Sequence, residues 1–292
     1  MINAALKKSQ VFLEMIKFEH SIFALPFAYL GLILGERGWP RLSVFIGVTI
    51  AMVSFRTMGM ALNRLVDLPI DAVNPRTKNR ALPAGKLKIP FVGAATLLSF
   101  FIFELSAFRL GPWCFRLSPI PVFLAILYPY LKRFTWFSHL VLGIILAIAP
   151  YAAWIASRGS FSWVPGLISI GVMTWVCGFD MIYALQDVDF DQQYGLYSFP
   201  SCFSLASTLK LTKTLHAVTF FSWVAAGWLA GLSPVYFSGM VLVAVFLIRE
   251  HWLIHHAGLR KIDEAFFTMN AVVSVAVFLA VILDLSWGKF FS

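Results

Sequence analysis

The sequence predicts an all-α, polytopic membrane protein, and three observations carry that reading. Hydrophobic residues fill 60% of its 292 positions, while Asp, Glu, Lys and Arg supply 13%. A soluble domain carries about 25% charged residues and needs polar side chains over most of its exterior, so this composition excludes one. Mean hydropathy of +0.81 and 16% aromatic residues likewise exclude a disordered chain, which is poor in both. The apolar runs are also long and continuous, whereas a transmembrane β-barrel alternates over segments of ~10 residues.

About twenty apolar residues cross a bilayer as a helix. Nine stretches qualify: 20–35, 43–62, 90–108, 112–131, 138–157, 163–184, 214–232, 235–250 and 265–285. Before them, residues 1–19 mix Lys7, Lys8, Glu14, Lys17 and Glu19 with apolar side chains. They predict an amphipathic lead-in, without the small-residue cleavage site of a signal peptide. Arg109, Gly111 and Pro112 separate the third span from the fourth. Residues 1–292 read as one transmembrane domain, a nine-helix bundle.

Cations are distributed unevenly between the loops. Sixteen of the 23 Lys and Arg residues lie in the N-terminus and the loops after spans two, four, six and eight; six lie opposite, and Arg56 is inside span two. The positive-inside rule puts the N-terminus and the richer loops in the cytoplasm of a cell-membrane protein, with the C-terminus outside after nine spans. The same bias accounts for the net charge of +9, so the expected partner is the lipid bilayer and not nucleic acid. Cys114, Cys177 and Cys202 have no CxxC spacing and predict neither a disulfide framework nor a zinc site.

Acidic residues are scarce, so their grouping is informative. Six of the 14, namely Asp67, Asp71, Asp180, Asp187, Asp189 and Asp191, fall at or just past the cytoplasmic ends of spans two and six. The chain reads Asn63-x3-Asp67-x3-Asp71 in one place and Tyr183-x3-Asp187-x3-Asp191 in the other. Residues four apart share a helix face, so each series is a column of oxygen ligands. Carboxylates crowded in this way need cations to neutralise them. Oxygen donors without His or Cys suit Mg²⁺, which takes one or two carboxylates plus substrate phosphates. The expected ligand is a diphosphate held through Mg²⁺ near the cytoplasmic surface; the alternative is ordinary helix-end polar residues. The offset from Asp67 to Asp187 suggests an internal repeat. Pro69 lies inside the first column, so a helix break is expected there, with Asp71 redirected.

Basic groups follow the acidic ones. Arg76, Lys78 and Arg80 lie between Asn74 and the Leu82-Pro83-Ala84-Gly85 turn signal. They would stabilise charge growing on a departing diphosphate, or reflect the positive-inside bias alone. Tyr128, Lys132 and Arg133, at the end of span four, are a second diphosphate-binding candidate; the alternative is snorkelling cations. Arg56, deep in an apolar span, would hold an acidic acceptor bidentately or pair with one of the aspartates. His251, His255 and His256 lack the HExxH form and read as solvated helix-end histidines.

Taken together these residues resemble the UbiA superfamily of intramembrane prenyltransferases. The resemblance rests on Asn63 to Asp71, Asn74, Arg76-Thr77, Arg80 and Leu82 to Gly85. It continues through Tyr128-Pro129-x2-Lys132-Arg133 and Asp180-x2-Tyr183-Ala184-x2-Asp187-x-Asp189-x-Asp191-x3-Gly195-x2-Ser198. It implies a central cavity open to the cytoplasm, and two Mg²⁺ ions on a polyprenyl diphosphate held by Asn63, Asp67, Asp71, Asp187 and Asp191. It implies transfer of the prenyl chain to an aromatic acid, with Arg56 at the acceptor. In our reading Asn63 and Tyr183 also line the acceptor, and Asp189 or Asp180 removes the ring proton. Arg64 stands where the family usually has an acid. With Lys17 to His20 and Phe23 to Phe27, this departure resembles the 4-hydroxybenzoate-type branch of ubiquinone and menaquinone synthesis, whose acceptor alternative is 1,4-dihydroxy-6-naphthoate of the futalosine route. A bulky tetrapyrrole acceptor is a further option within the family. An ion-coupled transporter is the rival from another class, but such sites lie near the bilayer midplane, whereas these acids gather at one end.

Overall fold

In a computed structural model the chain is helical, with residues 2–18, 21–258, 262 and 264–287 described. The expected features at Glu19, His20, Arg260, Lys261, Asp263 and Lys289 lie outside those residues. The first helices in chain order are α1 (Ile2–Met15), α2 (Ser21–Glu36), α3 (Leu42–Val66), α4 (Leu68–Val73) and α5 (Ile89–Leu110). Next come α6 (Pro112–Leu117), α7 (Pro119–Leu131), α8 (Ser138–Arg158) and α9 (Trp163–Ala184). The last are α10 (Val188–Tyr194), α11 (Phe199–Cys202), α12 (Leu205–Leu229), α13 (Pro234–Ala257) and α14 (Asn270–Trp287). No strand occurs among the described residues, as hydrocarbon requires of a spanning chain that satisfies its own backbone polar groups.

Among the described residues seven stretches are long and apolar enough to cross a membrane: 42–66, 89–110, 112–131, 138–158, 163–194, 234–256 and 266–287. The first expected span is the apolar but shorter helix Ala24–Glu36. The seventh lies mostly in α12, which ends at Leu229 and in which Lys210, Lys213 and several Ser and Thr residues dilute the apolar content.

The chain divides into two compact units. The first comprises residues 1–21 and 46–130. Its core joins Met15 at the end of α1 and Ile16 after it, Ala61 of α3, Leu82 and Leu87 of the loop, and Val92 of α5. Along α5, Leu97, Leu98, Phe101, Leu105 and Phe108 stay exposed, a surface suited to lipid rather than water. Pro90 sits in the first turn of α5 and Gly111, at φ +129°, ends it, so α6 starts afresh at Pro112.

The second unit comprises residues 22–45 and 131–292. Phe27, Trp175 and Trp223 meet at its centre, with ring centroids 5.3 Å apart for Phe27 with each indole. Close helix packing depends on glycine. A Cβ at Gly31 would stand 2.1 Å from the Pro150 carbonyl oxygen, and one at Gly143 2.4 Å from that of Met173. Glu250, wholly buried, accepts from Asn270 Nδ2 at 3.3 Å, and Asn270 Oδ1 accepts from Trp175 Nε1 at 2.7 Å. His251 departs from the expected solvated helix-end position: it is half-buried, with Nε2 3.0 Å from His216 Nδ1. His255 and His256 are exposed, as expected.

Candidate active site

In the first unit the acidic column ends one helix and begins another. The α-helix breaks at Asp67, which becomes the N-cap of α4 at φ −84°, ψ −4°, with Pro69 in the new first turn. A proline there costs little, because first-turn N–H groups have no helical partner. The break expected near Pro69 thus falls two residues earlier. The Asp71 N–H still donates to the Asp67 carbonyl at 2.8 Å and that of Asp67 to Asn63 at 2.9 Å. The column therefore keeps its register, and Asn63 Nδ2 donates to Asp67 Oδ2 at 3.1 Å.

Asp71 is buried and held by cations. Arg80 Nη1 lies 2.8 and 2.9 Å from its two carboxylate oxygens, and Arg64 Nη1 lies 3.7 Å from Oδ2. Arg64 was not singled out as a site residue from the sequence. Its signal was present, since seven residues, about two helical turns, separate it from Asp71 on the same face. The basic loop is wired to the column: Thr77 Oγ1 donates to the Asp71 carbonyl at 3.1 Å, and Asn74 Oδ1 accepts from the Arg76 N–H at 2.9 Å. Arg76 and Lys78 are exposed and Arg80 half-buried, so the three cations are not equivalent. Arg56 Nη2 donates to the Lys17 carbonyl at 3.2 Å. Tyr128 is half-buried near the end of α7.

The second unit repeats the device. A 3₁₀ turn at Leu185–Asp187 follows α9, and Asp187 becomes the N-cap of α10 at φ −106°, ψ 4°. Asp67 and Asp187 thus occupy equivalent places, each at a break after a long helix, and neither side chain caps the helix it precedes. This supports the repeat expected from their spacing. Asp191 Oδ2 accepts from Ser198 Oγ at 2.9 Å. Ser198 forms a capping box with Ser201 at the start of α11, and Gly195 at φ +65° permits the preceding turn. The Tyr197 N–H donates to the Lys132 carbonyl at 2.7 Å, tying that half-buried lysine's backbone to the same loop. Arg133 is half-buried beside it, Asp189 is exposed, and the Tyr183 ring packs on Phe266 with centroids 4.2 Å apart. Asp180 Oδ2 lies 2.7 Å from His139 Nδ1. His139 is a site residue that sequence reasoning missed; a lone histidine opening an apolar helix carries no local signal.

The donors fit Mg²⁺ in kind. Among the described residues no group of three or more His, Cys, Asp or Glu could hold a metal by itself. Mg²⁺ commonly binds through a carboxylate or two and completes its octahedron with phosphate and water. Asn63 and Asp67 in the first unit, and Asp187 and Asp191 in the second, carry oxygen donors of that kind.

Apolar helices of spanning length, two of them ending in a column of carboxylates, one held by arginine and the other by Ser198, define an integral membrane protein. Residues 24–272 match the model of the UbiA prenyltransferase family. The chain belongs to that family, and it is a prenyl transferase. It is 26% identical over 278 residues to a 4-hydroxybenzoate octaprenyltransferase of Vibrio campbellii, covering 93% of this chain and 96% of the relative. A UbiA homolog from Aeropyrum pernix K1, solved in its apo form, is 31% identical with a TM-score of 0.82, covering 91% of this chain and 98% of that one. A UbiA homolog from Archaeoglobus fulgidus, solved with GPP and Mg²⁺, shares the fold at TM-score 0.72 and 16% identity, covering 93% and 99%.

Proposed function

We propose that the protein transfers a polyprenyl chain from a polyprenyl diphosphate to the ring of an aromatic acid of the 4-hydroxybenzoate type, dependent on Mg²⁺. The observation that carries this reading is the repeated break at Asp67 and Asp187, which sets a carboxylate at the N-cap of each short helix. The names of the curated relatives and the GPP and Mg²⁺ of the Archaeoglobus fulgidus homolog agree with it.

Asn63, Asp67, Asp187 and Asp191 are assigned to the metal. Asp71 joins the set through its contact with Arg80, which it holds beside the column. Bound Mg²⁺ would neutralise the diphosphate and favour its departure. Arg76, Lys78, Arg80, Lys132 and Arg133, with Tyr128, bind the phosphate oxygens as charge grows on them. Arg56, whose Nη2 donates to the Lys17 carbonyl, receives the acceptor carboxylate, which a planar guanidinium matches bidentately. Asn63 and Tyr183 line the acceptor. The reading includes nine spans, a cytoplasmic N-terminus and active site in the cell membrane, and an external C-terminus.

The test is direct. Purified protein in detergent, given a polyprenyl diphosphate and a panel including 4-hydroxybenzoate and 1,4-dihydroxy-6-naphthoate, should yield a prenylated ring identified by mass, and only with Mg²⁺. Asp67→Ala and Asp187→Ala should each abolish turnover. Full activity in either variant overturns the metal assignment, and the preferred acid identifies the acceptor.

A further inference from the structure

Resting on the reading of the protein as an aromatic prenyltransferase, we propose that Asp180 takes the ring proton and that His139 is the positioning residue that presents it. The Phe199 N–H donates to His139 Nε2 at 3.2 Å, and an N–H can only donate. Nε2 is therefore the unprotonated nitrogen, so Nδ1 carries the hydrogen and donates it to Asp180 Oδ2 at 2.7 Å. One contact selects the tautomer and the other uses it, as in sites where a second partner fixes an imidazole.

Three features suit this pair to proton abstraction. His139 is 4% exposed, so its ring is held by packing, while the Asp180 side chain keeps 20% of its surface. Oδ2 is occupied by the imidazole, and Oδ1 forms no hydrogen bond among the described residues. The imidazole is neutral in this arrangement, so it orients Asp180 without placing a full positive charge beside it; Asp71, clamped by Arg80, lacks that freedom. The other candidate base, Asp189, is exposed and would meet water before substrate.

The same loop serves both carboxylates. Ser198, which bonds Asp191, immediately precedes Phe199, which fixes His139. The step balances: the acceptor ring carbon bonds to the allylic carbon, whose bond to oxygen breaks, and the diphosphate leaves with that electron pair. The ring C–H proton passes to Asp180 Oδ1 and its bonding pair restores aromaticity. The carboxylic acid then loses its proton to solvent.

The experiment compares His139→Leu, His139→Asn and Asp180→Asn in the detergent-purified enzyme. His139→Leu should lower kcat roughly 10- to 100-fold, the usual effect of removing an orienting partner, while Mg²⁺-dependent binding of prenyl diphosphate stays unchanged. His139→Asn, whose amide N–H can replace Nδ1–H, should recover a substantial part of kcat. Asp180→Asn should lose about 10²- to 10⁴-fold, and adding His139→Leu to it should cost nothing more. Full kcat in His139→Leu, an equal loss in the Asp180→Asn background, or parallel loss of diphosphate binding would each overturn the proposal. ¹⁵N-histidine spectra add a readout independent of turnover: a neutral Nδ1–H ring signal that His139→Leu removes. If wild type shows that ring yet prenylates no aromatic acid, the acceptor reading fails and the base assignment falls with it. If wild type turns over but the ring is absent, only the His139 assignment fails.

Discussion

Arg80 and Asp71 illustrate how a single ion pair can decide what a residue does. A carboxylate 5% exposed is costly to keep charged unless it is paired and hydrogen-bonded, and Arg80 Nη1 reaches both of its oxygens. Removing one partner of such a pair typically costs 3–5 kcal/mol. The Arg80 side chain is 29% exposed and Arg64 stands nearby, which moves the expected cost of Arg80→Ala to about 3 kcal/mol. Thermal unfolding in detergent should show this loss, and Asp71→Asn in the same background should return part of it. No change in unfolding temperature would mean that the pair is not holding the loop. Ser198→Ala tests the second column likewise. It removes a cap worth about 1 kcal/mol and the hydrogen bond to Asp191, so activity should fall further than stability alone explains.

Between elements, glycine sets how closely the helices of the second unit approach. The Cβ of Gly143→Ala would meet the Met173 carbonyl oxygen at 2.4 Å, and backbone cannot yield as a flexible side chain does. Small residues at such contacts let membrane helices pack through their backbones. Gly143→Ala should therefore destabilise by about 1–3 kcal/mol, the usual cost of overpacking, while the same change at Gly93, within α5 and with open space around it, should cost nothing and stabilise by up to about 1 kcal/mol.

Much at this scale was legible in the sequence. The apolar runs marked the helices because lipid imposes that composition, and four-residue spacing marked the acidic columns because helix geometry imposes that period. The breaks at Asp67 and Asp187 were less legible. Pro69 signalled the first only approximately, and the second, in Leu185-Gln186-Asp187, has no proline or glycine at all. The links from His139 to Asp180 and from Glu250 to Asn270 join residues 41 and 20 positions apart, and sequence spacing does not reveal pairings made by packing between helices.

For the whole molecule, the charge distribution predicts an orientation in the membrane, and a native cysteine can test it. The loop after α9 belongs to the lysine- and arginine-rich side, which the positive-inside rule assigns to the cytoplasm. Cys202 lies in that region and is exposed, whereas Cys177 is buried and Cys114 half-buried. Cys202 is also four residues beyond Ser198, the partner of Asp191, so the side it reports is that of the second acidic column. In a Cys114→Ala, Cys177→Ala protein, a membrane-impermeant maleimide should leave intact cells unlabelled and react in inverted membrane vesicles. Labelling of intact cells would place the Asp191 end outside, and the cytoplasmic assignment of the active site would be wrong even if the chemistry proposed for it were right.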